Sequence, residues 1–203
     1  MRLLSELPPL TWALVACALG VGWALSWVVR WYLKRSARKA LVAAITAVAL
    51  DHLTEVLVPD GMGSAFHVDF LLLTTRGVVV IDLRDVAGNV FGGDQMNEWT
   101  VMDGAHRSTF VNPQSALYDR VAAVKALAGE TPVEGRIVFT RRARFPKGLP
   151  KWTLMIDSLR TEFPPAEPAL LASVAGRFGE SWAQVKRSTS PSSLSQPRPV
   201  AVG

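Results

Sequence analysis

Two acids stand alone among apolar neighbours in the stretch FHVDFLLLTTRGVVVIDLRD, Asp69 in the first apolar run and Asp82 in the second, with Arg84 two residues further on. A carboxylate buried without a partner costs several kcal/mol, so residues placed this way call for a cation, a hydrogen-bond network or a wet cleft. Side chains two apart on a strand share a face, which puts Asp82 and Arg84 together with Val78 and Val80. A turn of two or four residues between the runs brings Asp69 onto that face, directly opposite Asp82, with Cβ atoms about 4.5–5.5 Å apart. A three-residue turn puts the acids on opposite faces unless a bulge near Asp69 restores the parity. Paired carboxylates at that distance repel, and a hard divalent cation such as magnesium relieves the repulsion by taking oxygens from both. Such an ion polarises a phosphoryl oxygen and lowers the pKa of a bound water. The same spacing equally suits an ion network of Asp82, Arg84 and Asp85, with Asp69 capping a strand end.

The elements that must position these residues follow from pattern. Ala65–Thr74 and Gly77–Leu83 read as central strands, and GVVVIDL, β-branched and apolar throughout, reads as covered on both faces. Leu53–Val58 is a short strand ended by Pro59, and PDGMG a turn. Short runs ending at Phe91, Met102 and Phe110, separated by glycines, predict a meander at the sheet margin, with Trp99 packing there. NPQSALYDRVAAVKALAG predicts a helix with Asn112 as N-cap, Pro113 at the first position and Gly129 past the end. Leu117, Val121, Val124 and Leu127 form its apolar face. Glu134–Thr140 is a further buried strand, so a strand, helix, strand crossover with a parallel pair is expected. Trp152–Met155 predicts a strand, DSLRTEF a short helix, and 168–186 a terminal helix.

Residues 10–29, LTWALVACALGVGWALSWVV, carry no charge over the length needed to cross a bilayer as a helix. The run leads into RWYLKRSARK rather than a cleavage site, which predicts an uncleaved transmembrane anchor. Four of the seven Trp (Trp12, Trp23, Trp27, Trp31) lie in or beside it. Arg30, Lys34, Arg35, Arg38 and Lys39 follow the span, whereas Arg2 and Glu6 are the only charges before it. That asymmetry places the N-terminus outside and the remainder in the cytoplasm, as in a single-pass bacterial-type inner-membrane protein. The basic run at 30–39 also suits anionic lipid. Residues 36–50 have helical composition and either extend the anchor or open the domain. The expected organisation is a short outer segment at 1–9, the span at 10–29, a basic segment and helix at 30–52, a domain at 53–187 and a disordered tail at 188–203.

The formal charge of +5 arises in the N-terminal segment: taking the six Lys and Arg before residue 40 from 22, and Glu6 from 17, leaves sixteen of each sign. The high pI is therefore poor evidence for nucleic-acid binding. A single Cys, Cys17, excludes an internal disulfide and a thiolate metal cluster, and three scattered His argue against a histidine-based zinc site.

VDFLLLTTRGVVVIDLRDVAG, then EWT, then TFVNPQ opening a helix, then RIVFT, closely resembles the nuclease-related domain (NERD) family over about residues 53–140. The resemblance implies an α/β, restriction-endonuclease-like fold, a mixed sheet flanked by helices and here preceded by the transmembrane helix. It implies magnesium-dependent phosphodiester hydrolysis in DNA or RNA, with Asp69 and Asp82 as metal-binding acids and Arg84 at the position of the catalytic Lys. Asp82 stands where Glu is usual, and Arg84 keeps its proton, so it can orient water or stabilise charge but is a poor base. The helix at 36–50 lacks the acid that relatives of this fold often supply; Asp51 and Glu55 lie at or beyond its end. Ala116 stands where the family commonly carries Gln. Gln114 and Tyr118 share a helix face by their four-residue spacing and are candidate accessory residues, or a solvated surface. Arg141, Arg142, Arg144, Lys147 and Lys151 form a loop suited to a phosphate backbone, or an ordinary solvated loop. These departures leave a catalytically inactive, membrane-tethered binding or scaffold module as the alternative reading.

Overall fold

The β-branched run predicted to be covered on both faces does lie at the centre of a sheet. In the computed structural model, residues 9–165 and 171–192 are described, the side chains of residues 9–18, 34 and 171 excepted. The chain divides into two compact units, residues 1–43 and 44–203. Helix α1 spans Pro9–Thr46. Ile45 and Val48 are buried, so the packed domain starts nearer residue 44 than the expected 53. Among the described residues no helix is long and apolar enough to cross a membrane. Of the expected span, 10–29, the side chains of residues 10–18 lie outside those described, as do residues 1–8 and 193–203 of the expected outer segment and tail.

The second unit is a mixed α/β domain. Strands β1 (Asp51–Pro59), β2 (Ala65–Thr74) and β3 (Gly77–Arg84) run antiparallel in sequence order. Helix α2 (Pro113–Ala128) then carries the chain to β7 (Val133–Phe139), which pairs parallel with β3, Asp82 opposite Ile137. Asn112 caps α2 by accepting the Gln114 N–H at 2.9 Å, and Gly129 ends it with φ +59. Strand β9 (Thr153–Met155) pairs parallel with β7, and Ile156–Ser158 forms a 3-10 turn leading into α3 (Leu159–Glu162). Helix α4 (Leu171–Ser188) follows, and β10 (Ser190–Pro191) pairs with β1, so ordered pairing enters the segment expected as tail. The sheet order is β10-β1-β2-β3-β7-β9.

The meander is a separate sheet rather than a margin of this one. Strands β4 (Gly88–Phe91), β5 (Glu98–Asp103), β6 (His106–Val111) and β8 (Ala143–Arg144) form it in the order β6-β5-β4-β8. Trp99 is correspondingly not marginal: it is fully buried, stacked on Phe139 of β7 at 6.2 Å and edge-on to Phe110 and Phe145. The indole thus joins the small sheet to the large one.

The β2–β3 turn has two residues, since Thr74 pairs with Gly77. Gly77 has φ +126, and a Cβ there would collide with the Pro132 carbonyl oxygen, which also accepts the Val78 N–H at 2.9 Å. Gly77→Ala should therefore cost at least about 2 kcal/mol in denaturant unfolding. Gly61→Ala, at φ +77 but with open space around it, should cost less; equal costs would mean that the collision is relieved.

Candidate active site at the β1–β2–β3 junction

The two-residue turn settles the parity left open by the sequence. Continued one step beyond Phe70↔Ile81, the register sets Asp69 opposite Asp82. The strands do not simply continue, however. The β1–β2 ladder holds one register on both sides, Thr54↔Phe70 and Val56↔Val68, yet Glu55 and Asp69 between them are not paired. Glu55 has φ +52, a left-handed conformation that costs a non-glycine residue about 1–3 kcal/mol. Leu53 and Leu71 on one side of the break and Val56 and Val68 on the other all pack into one core, so the in–out alternation is interrupted there. Both carboxylates leave the ladder and gather with neighbouring side chains.

Asp69 Oδ2 accepts the Leu83 N–H at 2.7 Å, and its Oδ1 lies 3.6 Å from His67 Nδ1. His67 Nε2 is 3.0 Å from Glu55 Oε2. Asp82 is almost fully buried, and its Oδ2 accepts from Arg84 Nη2 at 2.8 Å and Arg120 Nη1 at 3.1 Å. Arg120, on α2, also donates from Nε to the His67 carbonyl at 2.7 Å, tying helix to both strands. The Arg84 Nε is buried and has no hydrogen-bond partner among the described residues. Asp69, Asp82 and Arg84 therefore do come together. The ligand atoms of Glu55, His67 and Asp69 all lie within 4.8 Å of one another, a donor set that fits a divalent cation. Asp82 is instead compensated by two guanidinium groups.

Burial is the largest influence on the Asp69 carboxyl and raises its pKa, with the charges of Asp82 and Glu55 acting the same way; the Leu83 N–H and His67 pull it down. The folded chain thus holds this proton more tightly than the unfolded chain. The stability it contributes is complete below the ordinary value of 3.8 and is lost as pH rises through the higher folded value. Ionised Asp69 is then a destabilising group at neutral pH. In chelator-containing buffer Asp69→Asn, which keeps an oxygen for Leu83, should melt at or above wild type at pH 7. The advantage should disappear below about pH 4. A variant clearly less stable at pH 7 would contradict this balance.

Three members of the cluster, Glu55, His67 and Arg120, were not singled out by the sequence. Glu55 is a lone acid in a strand, as Asp69 is, and His67 stands two residues before Asp69. Arg120 interrupts the apolar face of Leu117, Val121 and Val124.

The accessory and basic residues lie elsewhere. Gln114 is buried rather than solvated, its Nε2 donating to Asp94 Oδ1 at 2.8 Å and to the Lys151 carbonyl at 2.9 Å. With exposed Tyr118 and Trp152 it lines a groove of about 740 Å³ whose lining includes none of Asp69, Asp82 and Arg84. In the basic loop Arg141 pairs with Asp157 at 2.7 Å, Arg142 with Asp85 at 2.9 Å and Lys151 with Asp94 at 4.0 Å. Lys147 sits 6.0 Å over the Phe91 ring. Arg144, on β8, is exposed.

The family model described as nuclease-related domain, NERD, matches residues 44–140. No curated protein and no solved structure gave a match. The matched segment runs from the end of α1 to the end of β7 and contains the whole Asp69–Asp82–Arg84 cluster, and a restriction-endonuclease-like fold is consistent with it. Residues 44–140 of this chain are thus a nuclease-related domain of the NERD family.

Proposed function

We propose that the chain is a membrane-anchored NERD protein that hydrolyses phosphodiester bonds in DNA or RNA with a divalent cation held at Asp69. The observation that carries this reading is the convergence of Asp69, Asp82 and Arg84 from adjacent strands within the matched domain. A cation so held polarises a phosphoryl oxygen and lowers the pKa of bound water. Asp82 orients Arg84 and Arg120 toward the site. Arg84 cannot act as a base, and its role is to stabilise charge on the phosphoryl group. Lys147 and Arg144 are the loop cations with no carboxylate partner in the described structure and are assigned to the nucleic-acid backbone.

Anchoring rests on the uncharged residues 10–29 and on the exposure of Leu19, Trp23 and Trp27 on α1. The Lys and Arg residues at 30–39 favour a cytoplasmic domain, as in a bacterial-type inner membrane, and contact with anionic lipid. Liposome binding by the full chain should weaken with added salt if that contact contributes.

A second reading, a binding or scaffold module without hydrolysis, is favoured by one specific observation: both guanidinium groups are bonded to the same oxygen of Asp82. The two readings separate in an assay of the purified full chain on plasmid and structured RNA with magnesium, manganese or chelator. Cation-dependent cleavage that Asp82→Ala removes establishes the enzyme. A folded wild type that cuts neither substrate in either metal leaves the scaffold.

A further inference from the structure

We infer that the cation site is built from Glu55, His67 and Asp69, with Asp82 outside the ligand set, and that it selects a first-row transition ion such as manganese or zinc over magnesium. The inference deepens the proposed function and rests on its placing of a cation at Asp69.

Three observations carry it. First, the three donors come from both sides of the ladder break: Glu55 from β1, His67 and Asp69 two residues apart on β2, with ligand atoms within 4.8 Å. Second, the left-handed backbone at Glu55 interrupts the β1–β2 pairing at the residue that supplies the β1 donor. Third, Asp82 already meets two guanidinium groups through Oδ2, and its side chain is 5% exposed, so an added cation there would lie against two fixed positive charges. Glu55, His67 and Asp69 together offer two carboxylates and one imidazole as donors.

The donor chemistry then decides the metal. Magnesium demands octahedral oxygen and gives up its water reluctantly, whereas imidazole suits zinc, iron, cobalt and related ions, and carboxylates add manganese to the set. Neutral His67 must give a ring nitrogen to the ion, releasing its present contact with Glu55 or Asp69.

The test is binding by the full chain, measured with manganese, zinc and magnesium separately by equilibrium dialysis. One transition ion per chain is expected, bound at least about tenfold more tightly than magnesium, and His67→Gln and Glu55→Gln should each weaken it by at least about tenfold. Pulsed electron paramagnetic resonance of the wild-type manganese complex requires no variant and should show coupling to an imidazole nitrogen. Manganese binding without nitrogen coupling, or binding lost in Asp82→Asn but retained in folded His67→Gln, overturns the inference. Binding as described without any cleavage defeats only the nuclease reading; cleavage with magnesium alone, insensitive to His67 and Glu55, defeats only this one.

Discussion

Trp99→Ala is expected to cost about 3–5 kcal/mol, the largest loss from any single truncation in this domain. The indole is fully buried, stacks on Phe139 and meets Phe110 and Phe145 edge-on, while its Nε1–H is satisfied by the Gly93 carbonyl at 3.2 Å. Gly92 lies so close beneath the ring that a Cβ there would overlap it, so the surroundings are already packed around the aromatic and cannot collapse fully into the space it leaves. Alanine would remove one of the contacts that hold the four-stranded sheet to β7. Denaturant unfolding should show the loss, whereas Trp152→Ala, at a residue 48% exposed, should cost much less. A Trp99→Ala cost under about 1.5 kcal/mol would mean that the small sheet is held by its strands alone.

Asp82→Ala carries the second large effect, on stability and activity together. Removing the carboxylate leaves Arg84 and Arg120 facing each other across the space it occupied. For fully buried pairs such a change costs about 3–5 kcal/mol. Here both guanidinium groups keep some access to water, Arg84 34% and Arg120 21% exposed, so about 2–4 kcal/mol is expected. For a domain of this size that corresponds to a fall in Tm of about 5–15 °C. Cleavage should fall to background even at temperatures where the variant is folded, because Arg84 loses its anchor. A variant of unchanged Tm would show the three side chains to be separate in solution.

Elements set by local chemistry were legible in the sequence. The ends of α2 follow from Asn112, Pro113 and Gly129, and β2 and β3 from their apolar runs, with the parallel β3–β7 pair following from the intervening helix. The separate small sheet was not legible, since its closing pair, Gly88 with Ala143, joins strands 55 residues apart through a two-residue segment with no pattern of its own. Asp69, Asp82 and Arg84 stood out as charges in apolar runs. Glu55 and His67 were hidden because the cluster depends on a backbone break, with φ +52 at a glutamate, that no residue preference announces. Arg120 looked like an ordinary helix charge until the strands beneath α2 were placed. Gln114 was placed correctly on its helix, but its partners Asp94 and Lys151 are distant in sequence, so its burial was not visible.

The most direct measurement uses Asp69→Asn, the variant expected to keep the fold. Wild-type chain and variant are given plasmid and RNA in manganese, magnesium and chelator, with Tm recorded on the same samples. Cation-dependent cleavage by wild type is expected, with a loss of at least about 100-fold in a variant that melts no lower than wild type in chelator at pH 7. Undiminished cleavage by Asp69→Asn, or no cleavage by folded wild type in either metal, would contradict it.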